Sequence, residues 1–134
     1  MMRELTAMDL AHRVGAGQVR FGTAHPDDNV AELHVANRTE KVSASVWLDH
    51  HSAVWLMAAL GAFAAGPARP PLDEIAVYDA DGRRNARARL QHDRGPIAAL
   101  HITNHTDHRS AAVALDRRMA TELMVALGAF VATT

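Results

Sequence analysis

The densest run of chemically active side chains is "GRRNARARLQHDRG", residues 82–95. On a strand, alternate residues share a side, so Arg83, Asn85, Arg87 and Arg89 would fall on one face. Three guanidinium groups in a row can follow a phosphate backbone. Asp79, Asp81 and Asp93 stand close by, and the competing reading is a solvated strand face with balanced charge. Trp47 is the second candidate, because an indole offers a flat platform on which an unpaired base stacks. Arg83, Arg87, Arg89 and Trp47 are therefore the candidate nucleic-acid contacts. Trp55, on a predicted helix, is a candidate interface residue, since an exposed indole on a helix usually marks a contact. His34 and His101, on predicted outer strand faces, join it.

Other chemistries find less support. There are nine histidines, and "HITNHTDH" places His101, His105 and His108 near one another. On a strand, His101 and His105 would lie about 13 Å apart at 3.3 Å per residue, a separation that a turn at Asn104 would shorten. Three or four converging ligands are needed for a metal site, and no metal is expected. Cysteine is absent, which removes disulfides and thiolate ligands. No G-x-S-x-G elbow or phosphate loop occurs, so neither catalytic residues nor cofactors are expected, and the chain reads as a non-enzyme.

Bulk properties bound the partners. The 134 residues carry 14 basic and 15 acidic side chains, for a formal charge of −1. Residues 1–66 hold 5 basic and 7 acidic groups, giving −2, and residues 67–134 hold 9 and 8, giving +1. A strongly basic binder is not indicated by this total. The apolar run from Ala53 to Ala65 is 13 residues long, too short to span a bilayer. No secretory signal stands at the start. A cytoplasmic protein without membrane contact is expected, as a homo-oligomer or with a protein partner.

The elements that must position these residues come from a repeat. "LDHHSAVWLMAALGAFAA" (48–65) reappears as "LDRRMATELMVALGAFVA" (115–132), 67 residues on. From residue 31 to 65 the copies agree at 19 of 35 positions, where average usage would give roughly two or three. Further back, His25 falls over His92, Arg20 over Arg87 and Gly15 over Gly82. Two units are too few for a solenoid. They imply a closed pair with pseudo-twofold symmetry: one domain, 1–134, made of repeat one (1–66) and repeat two (67–134). "GPARPPLD" (66–73) reads as the linker, because its prolines stop helices and central strands.

Within a unit, "VAELHVAN" and "VSASVWLD" alternate with period two, as half-buried strands do. Leu33, Val35, Val42, Ala44, Val46 and Leu48 point inward. Glu32, His34, Ser43, Ser45 and Trp47 point outward. "QVRFGTAH" and "RARLQHD" read as strands, and "EIAVYDADGRRNARARL" as a hairpin turning at Asp79 to Gly82. Its counterpart in repeat one is less clear and opens with a strand or a short helix. Asp49 and Asp116 are N-cap residues. Leu56, Leu60 and Phe63, matched by Leu123, Leu127 and Phe130, keep helical spacing. The fold class is therefore α+β: a tandem ββββα duplication, two antiparallel sheets with two central helices about the pseudo-twofold axis.

This order, four strands and a helix twice over, resembles the Whirly fold. It is also similar to the paired units of positive-cofactor-type coactivators and of Pur-alpha repeats, and to actinobacterial SsgA-like regulators in architecture and length. The resemblance lies in topology, and the lysine-rich motif of plant Whirly proteins is missing. It implies a regulatory module that binds single-stranded nucleic acid. The alternative is a protein-interaction or assembly regulator that binds none, using the outer sheet face and Trp55.

Overall fold

The computed structural model describes residues 17–22, 29–65, 73–94 and 97–132. Element order is β1 (Gly17–Gly22), β2 (Ala31–Asn37), β3 (Val42–Leu48), α1 (His50–Ala64), β4 (Asp73–Val77), β5 (Ala86–Arg94), β6 (Ile97–Asn104), β7 (Arg109–Asp116) and α2 (Arg117–Val131). The fold is α+β. One antiparallel sheet has the order β1-β2-β3, and the other β4-β5-β6-β7. The strand or helix expected to open repeat one, ahead of Gly17, lies outside the described residues, as does most of the 66–73 linker.

Period-two alternation places the core. Leu33, Val35, Val46 and Leu48 in the first sheet are buried, with Leu100, Ile102, Val113 and Leu115 in the second. Val42 departs from the expected inward set and is 39% exposed. It opens β3 opposite Asn37, the last residue of β2, so no sheet interior covers it. On the helices, Leu56, Leu60 and Phe63 of α1 and Leu123, Leu127 and Phe130 of α2 are fully or nearly fully buried.

Both helices start on an aspartate. Asp49 accepts from the Ser52 backbone N–H and Asp116 from that of Met119, each at 2.8 Å. These bonds satisfy donors that the first turn leaves without helical partners. The helices touch closely. A Cβ on Gly61 would stand 3.3 Å from Met124 Sδ, and one on Gly128 3.5 Å from Met57 Cε. These two contacts are reciprocal at an offset of 67.

Two inward strand positions carry amide side chains instead of apolar ones. Asn37 Nδ2 donates to the Ala112 carbonyl, and Asn104 Nδ2 to the Ser45 carbonyl, both at 3.0 Å. Each amide oxygen accepts from its own hairpin turn, Asn37 from Glu40 N and Asn104 from Thr106 N and Asp107 N. These buried amides therefore shape a turn and tie it to the other half. The turns match in conformation too, with Lys41 and His108 both left-handed, φ 57° and 53°.

The halves differ in the register of their first hairpins. Arg20 pairs with His34 across β1 and β2, whereas the residue opposite His101 is Arg89. The partner of Arg20 is thus Arg89, not Arg87 as the offset of 67 predicts. Connection length explains the slip. Residues 23–30 join β1 to β2, but only two residues separate β5 from β6, after a register shift between His92 and Arg94. Finally, Trp47 and Tyr78 exchange both backbone hydrogen bonds, at 2.8 and 3.0 Å, and so tie β3 to the end of β4. Among the described residues no helix is long and apolar enough to cross a membrane.

Candidate nucleic-acid interface

The outer face of the first sheet carries its polar residues in cross-strand rows. Arg20, His34 and Ser45 form one, and Glu32 and Trp47 stand in the next. The Ser45 hydroxyl donates to Glu32 Oε2 at 2.8 Å, and His34 Nδ1 lies 2.7 Å from Ser45 Oγ. A hydroxyl has one proton to give. Ser45 gives it to the carboxylate, so His34 Nδ1 must carry a proton and donate to Ser45. The neutral ring is then held with its lone pair on Nε2. Burial of the ring, together with the Arg20 charge, lowers the His34 pKa below its ordinary value, against an opposing pull from Glu32. The order Glu–Ser–His is not that of a nucleophilic triad, in which histidine stands in the middle and takes the serine proton. It fixes an acceptor; it does not activate Ser45.

A groove of about 450 Å³ opens beside this row. One wall is the β3 face, with His34, Ser43, Ser45 and Trp47; the other is Asp107 and Arg109, from the β6–β7 turn and the start of β7. Asn104 holds the two walls at a fixed distance, because it binds the Ser45 carbonyl and shapes the turn. Asp79 braces the turn from the far side. Its Oδ2 accepts from Thr106 Oγ1 at 2.6 Å, and its Oδ1 from the backbone N–H groups of Asp81 and Arg83. The Thr106 bond and these backbone bonds outweigh burial and hold the Asp79 pKa below the ordinary carboxylate value. An indole face, a guanidinium, a carboxylate, two hydroxyl oxygens and an imidazole acceptor thus line one open groove.

The second half has a corresponding groove of about 300 Å³, lined by His101, Ala99, Ala112 and Ala114, with Glu40 from the facing turn. At an offset of 67, Ala99 replaces Glu32, Ala112 replaces Ser45 and Ala114 replaces Trp47. Glu40 answers Asp107, and Val42 stands in place of Arg109. The histidine is kept, Ser43 is matched by an identical Ser110, and Asn37 and Gln91 supply the second groove's amides. Burial and the Arg89 charge lower the His101 pKa as well.

The predicted contact residues lie on different elements. Trp47 is half-buried in the first groove. Arg87 and Arg89 do lie on β5 at alternate positions, on the second sheet. Arg87 is engaged, its Nη1 donating to Glu74 Oε2 at 2.9 Å. Arg89 is half-buried, with an Nε that has no hydrogen-bond partner. Arg83 is not on the strand. It is exposed in the turn ahead of β5, because Asp79 accepts from its N–H and donates to its carbonyl. The turn itself falls where expected, closed by Gly82 at φ +81°. Asn85, also ahead of β5, donates to Thr106 Oγ1. Arg84 sits over the Tyr78 ring at 5.6 Å.

Trp55 is half-buried and packs against the core, while its neighbour Val54 is 50% exposed. His34 and His101 stand half-buried on the outer faces. Among the described residues no three His, Asp or Glu side chains converge as metal ligands would. Sequence reasoning missed Arg109, Asp107, Asn37 and Asn104. A signal existed for the asparagines, since both fall on inward strand positions and are identical between the copies. No family model matches the chain, and the search of curated proteins gives no match.

Proposed function

We propose that the protein is a regulatory module that binds single-stranded nucleic acid in the groove between the β3 face and the β6–β7 turn. The observation that carries this reading is the contrast between the two grooves. The alanine-lined groove occurs in the same fold, so the fold does not call for Glu32, Ser45, Trp47 or Arg109. Those side chains are free to serve a ligand. Trp47 supplies the stacking platform, Arg109 a cation for phosphate, and Arg83 and Arg84 extend positive charge along the adjoining turn. An open groove lined by both a platform and a cation suits an unstacked base better than a duplex. The likeness in element order to Whirly and Pur-alpha units points the same way by analogy, and the reading includes a pseudo-twofold relation between the repeats.

A labelled short single strand, titrated beside the matching duplex at two salt concentrations, tests this. Binding is expected for the single strand, weakening with salt by a log–log slope of about −0.7 per phosphate contact. Wild-type protein that binds no single strand at low salt would overturn the proposal.

One observation favours a second reading, a protein-interaction regulator. Helix α1 contains no Asp, Glu, Lys or Arg, and its solvent side shows His51, Val54, Ala58 and Ala62. Its counterpart α2 exposes Val125 as well, but beside the charged Arg117, Arg118 and Glu122. An uncharged exposed face suits a protein partner better than a phosphate backbone.

A further inference from the structure

We infer that the groove selects among bases, preferring those with a ring N–H, and that the His34 imidazole makes the selection. This rests on the groove being the single-strand site. Guanine, thymine and uracil present a ring N–H on the Watson–Crick edge; adenine and cytosine present a ring lone pair there. The relay from Glu32 through Ser45 leaves His34 only one way to be neutral, with the proton on Nδ1. Nε2 is then an acceptor. It completes a hydrogen bond to a ring N–H and repels a ring lone pair.

Trp47 is two residues from Ser45 on the same strand face, about 7 Å along β3. A base stacked on the indole therefore has its edge within reach of the imidazole. Asp107, in the facing wall, can accept from the exocyclic amino group that guanine carries next to its ring N–H. The charged and titratable groups around His34 are Arg20 on β1, Glu32 on β2, and Asp107 and Arg109 across the groove. Burial and the Arg20 charge hold the His34 pKa below its ordinary value, so the ring is neutral at about pH 8. Protonation places a hydrogen on Nε2 and turns the acceptor into a donor. Cytosine then becomes the better partner.

The second half supplies the control. Ala112 stands where Ser45 stands, and His101 there has no serine to fix its tautomer. Ser45→Ala therefore installs the residue that the corresponding strand already carries, so the fold tolerates it. It frees the His34 ring to place its proton on either nitrogen.

Oligothymidine and oligocytidine of equal length are titrated against wild type, Ser45→Ala and His34→Gln at about pH 8, where the imidazole is neutral. Wild type is expected to prefer thymidine about five- to tenfold, the discrimination that one hydrogen bond supplies. Ser45→Ala should lose most of that preference. His34→Gln, whose amide oxygen also accepts, should keep a reduced one. Binding of both oligomers with equal affinity by wild type overturns the inference and leaves the groove as an unselective single-strand site. So does a preference that Ser45→Ala leaves intact. Failure of both oligomers to bind overturns the groove assignment itself.

Discussion

The two grooves share a scaffold and differ in what lines it. In the first, Ser45, His34 and Trp47 face Asp107 and Arg109, with Glu32 accepting from Ser45; in the second, Ala99, Ala112, His101 and Ala114 face Glu40. The structural residues do not diverge in this way. Asn37 and Asn104 make the same bond into the opposite half, and Asp49 and Asp116 both cap a helix. What the fold needs is present twice. What it does not need is present once, around one groove.

Core substitutions should not distinguish the halves, and they carry the largest effect. Leu60 and Leu127 are both fully buried at equivalent helix positions. Leu60→Ala and Leu127→Ala should each cost about 2–5 kcal/mol in denaturant unfolding, and by similar amounts. A near-neutral result at one site would show that the helices are packed unequally.

Next in size are the crossed asparagines. Asn104→Ala removes three hydrogen bonds and leaves the Ser45 carbonyl without its donor, which should cost about 1–3 kcal/mol. It should also weaken single-strand binding, because Asn104 sets the distance between the groove walls. Asn37→Ala should destabilise comparably, and binding should be spared, since its turn faces the alanine-lined groove. Equal losses of binding would show that the effect is global.

The helix caps give a smaller and asymmetric effect. Asp49 also accepts from the Ser52 hydroxyl and from Tyr78 OH at 3.2 Å. Burial pushes its pKa up, and the Ser52 and Tyr78 hydrogen bonds more than offset this, so the net shift is downward. A carboxylate held below its ordinary value stabilises the fold above that value. The contribution is lost as pH falls through the folded pKa, below about pH 4. Asp49→Ala should cost about 1 kcal/mol at neutral pH. Asp49→Asn keeps a capping oxygen and should flatten the acid limb of the stability curve. An unchanged acid limb would show that Asp49 does not titrate in folding.

How much of this was legible in the sequence follows from the range of each interaction. The strands β2, β3, β6 and β7 and both helices rest on local patterns, namely alternation, Asp caps and the repeated "ALGAF". The two-residue slip between the first hairpins was hidden, because the 67-residue offset comes from segments beyond them. Arg83 was misplaced because a side chain, Asp79, closes the turn with bonds that strand periodicity ignores. The groove was illegible for a different reason. Ser45 and Asp107 face it from opposite halves, and no local pattern links positions so far apart.

Salt dependence sharpens the comparison with the smallest effect. Arg109→Ala should reduce the log–log salt slope of single-strand binding by about 0.7, one phosphate contact. Arg87→Ala, already engaged by Glu74, should change it less. The reverse order would move the binding surface to the second sheet.

The most direct test measures single-strand affinity at low salt for wild type, Trp47→Ala in the first groove and His101→Ala in the second. Trp47→Ala should lose about 1–3 kcal/mol of binding, the worth of one stacked base, while His101→Ala binds as wild type does. Equal losses in the two variants, or a loss confined to His101→Ala, would contradict the assignment of the ligand to the first groove.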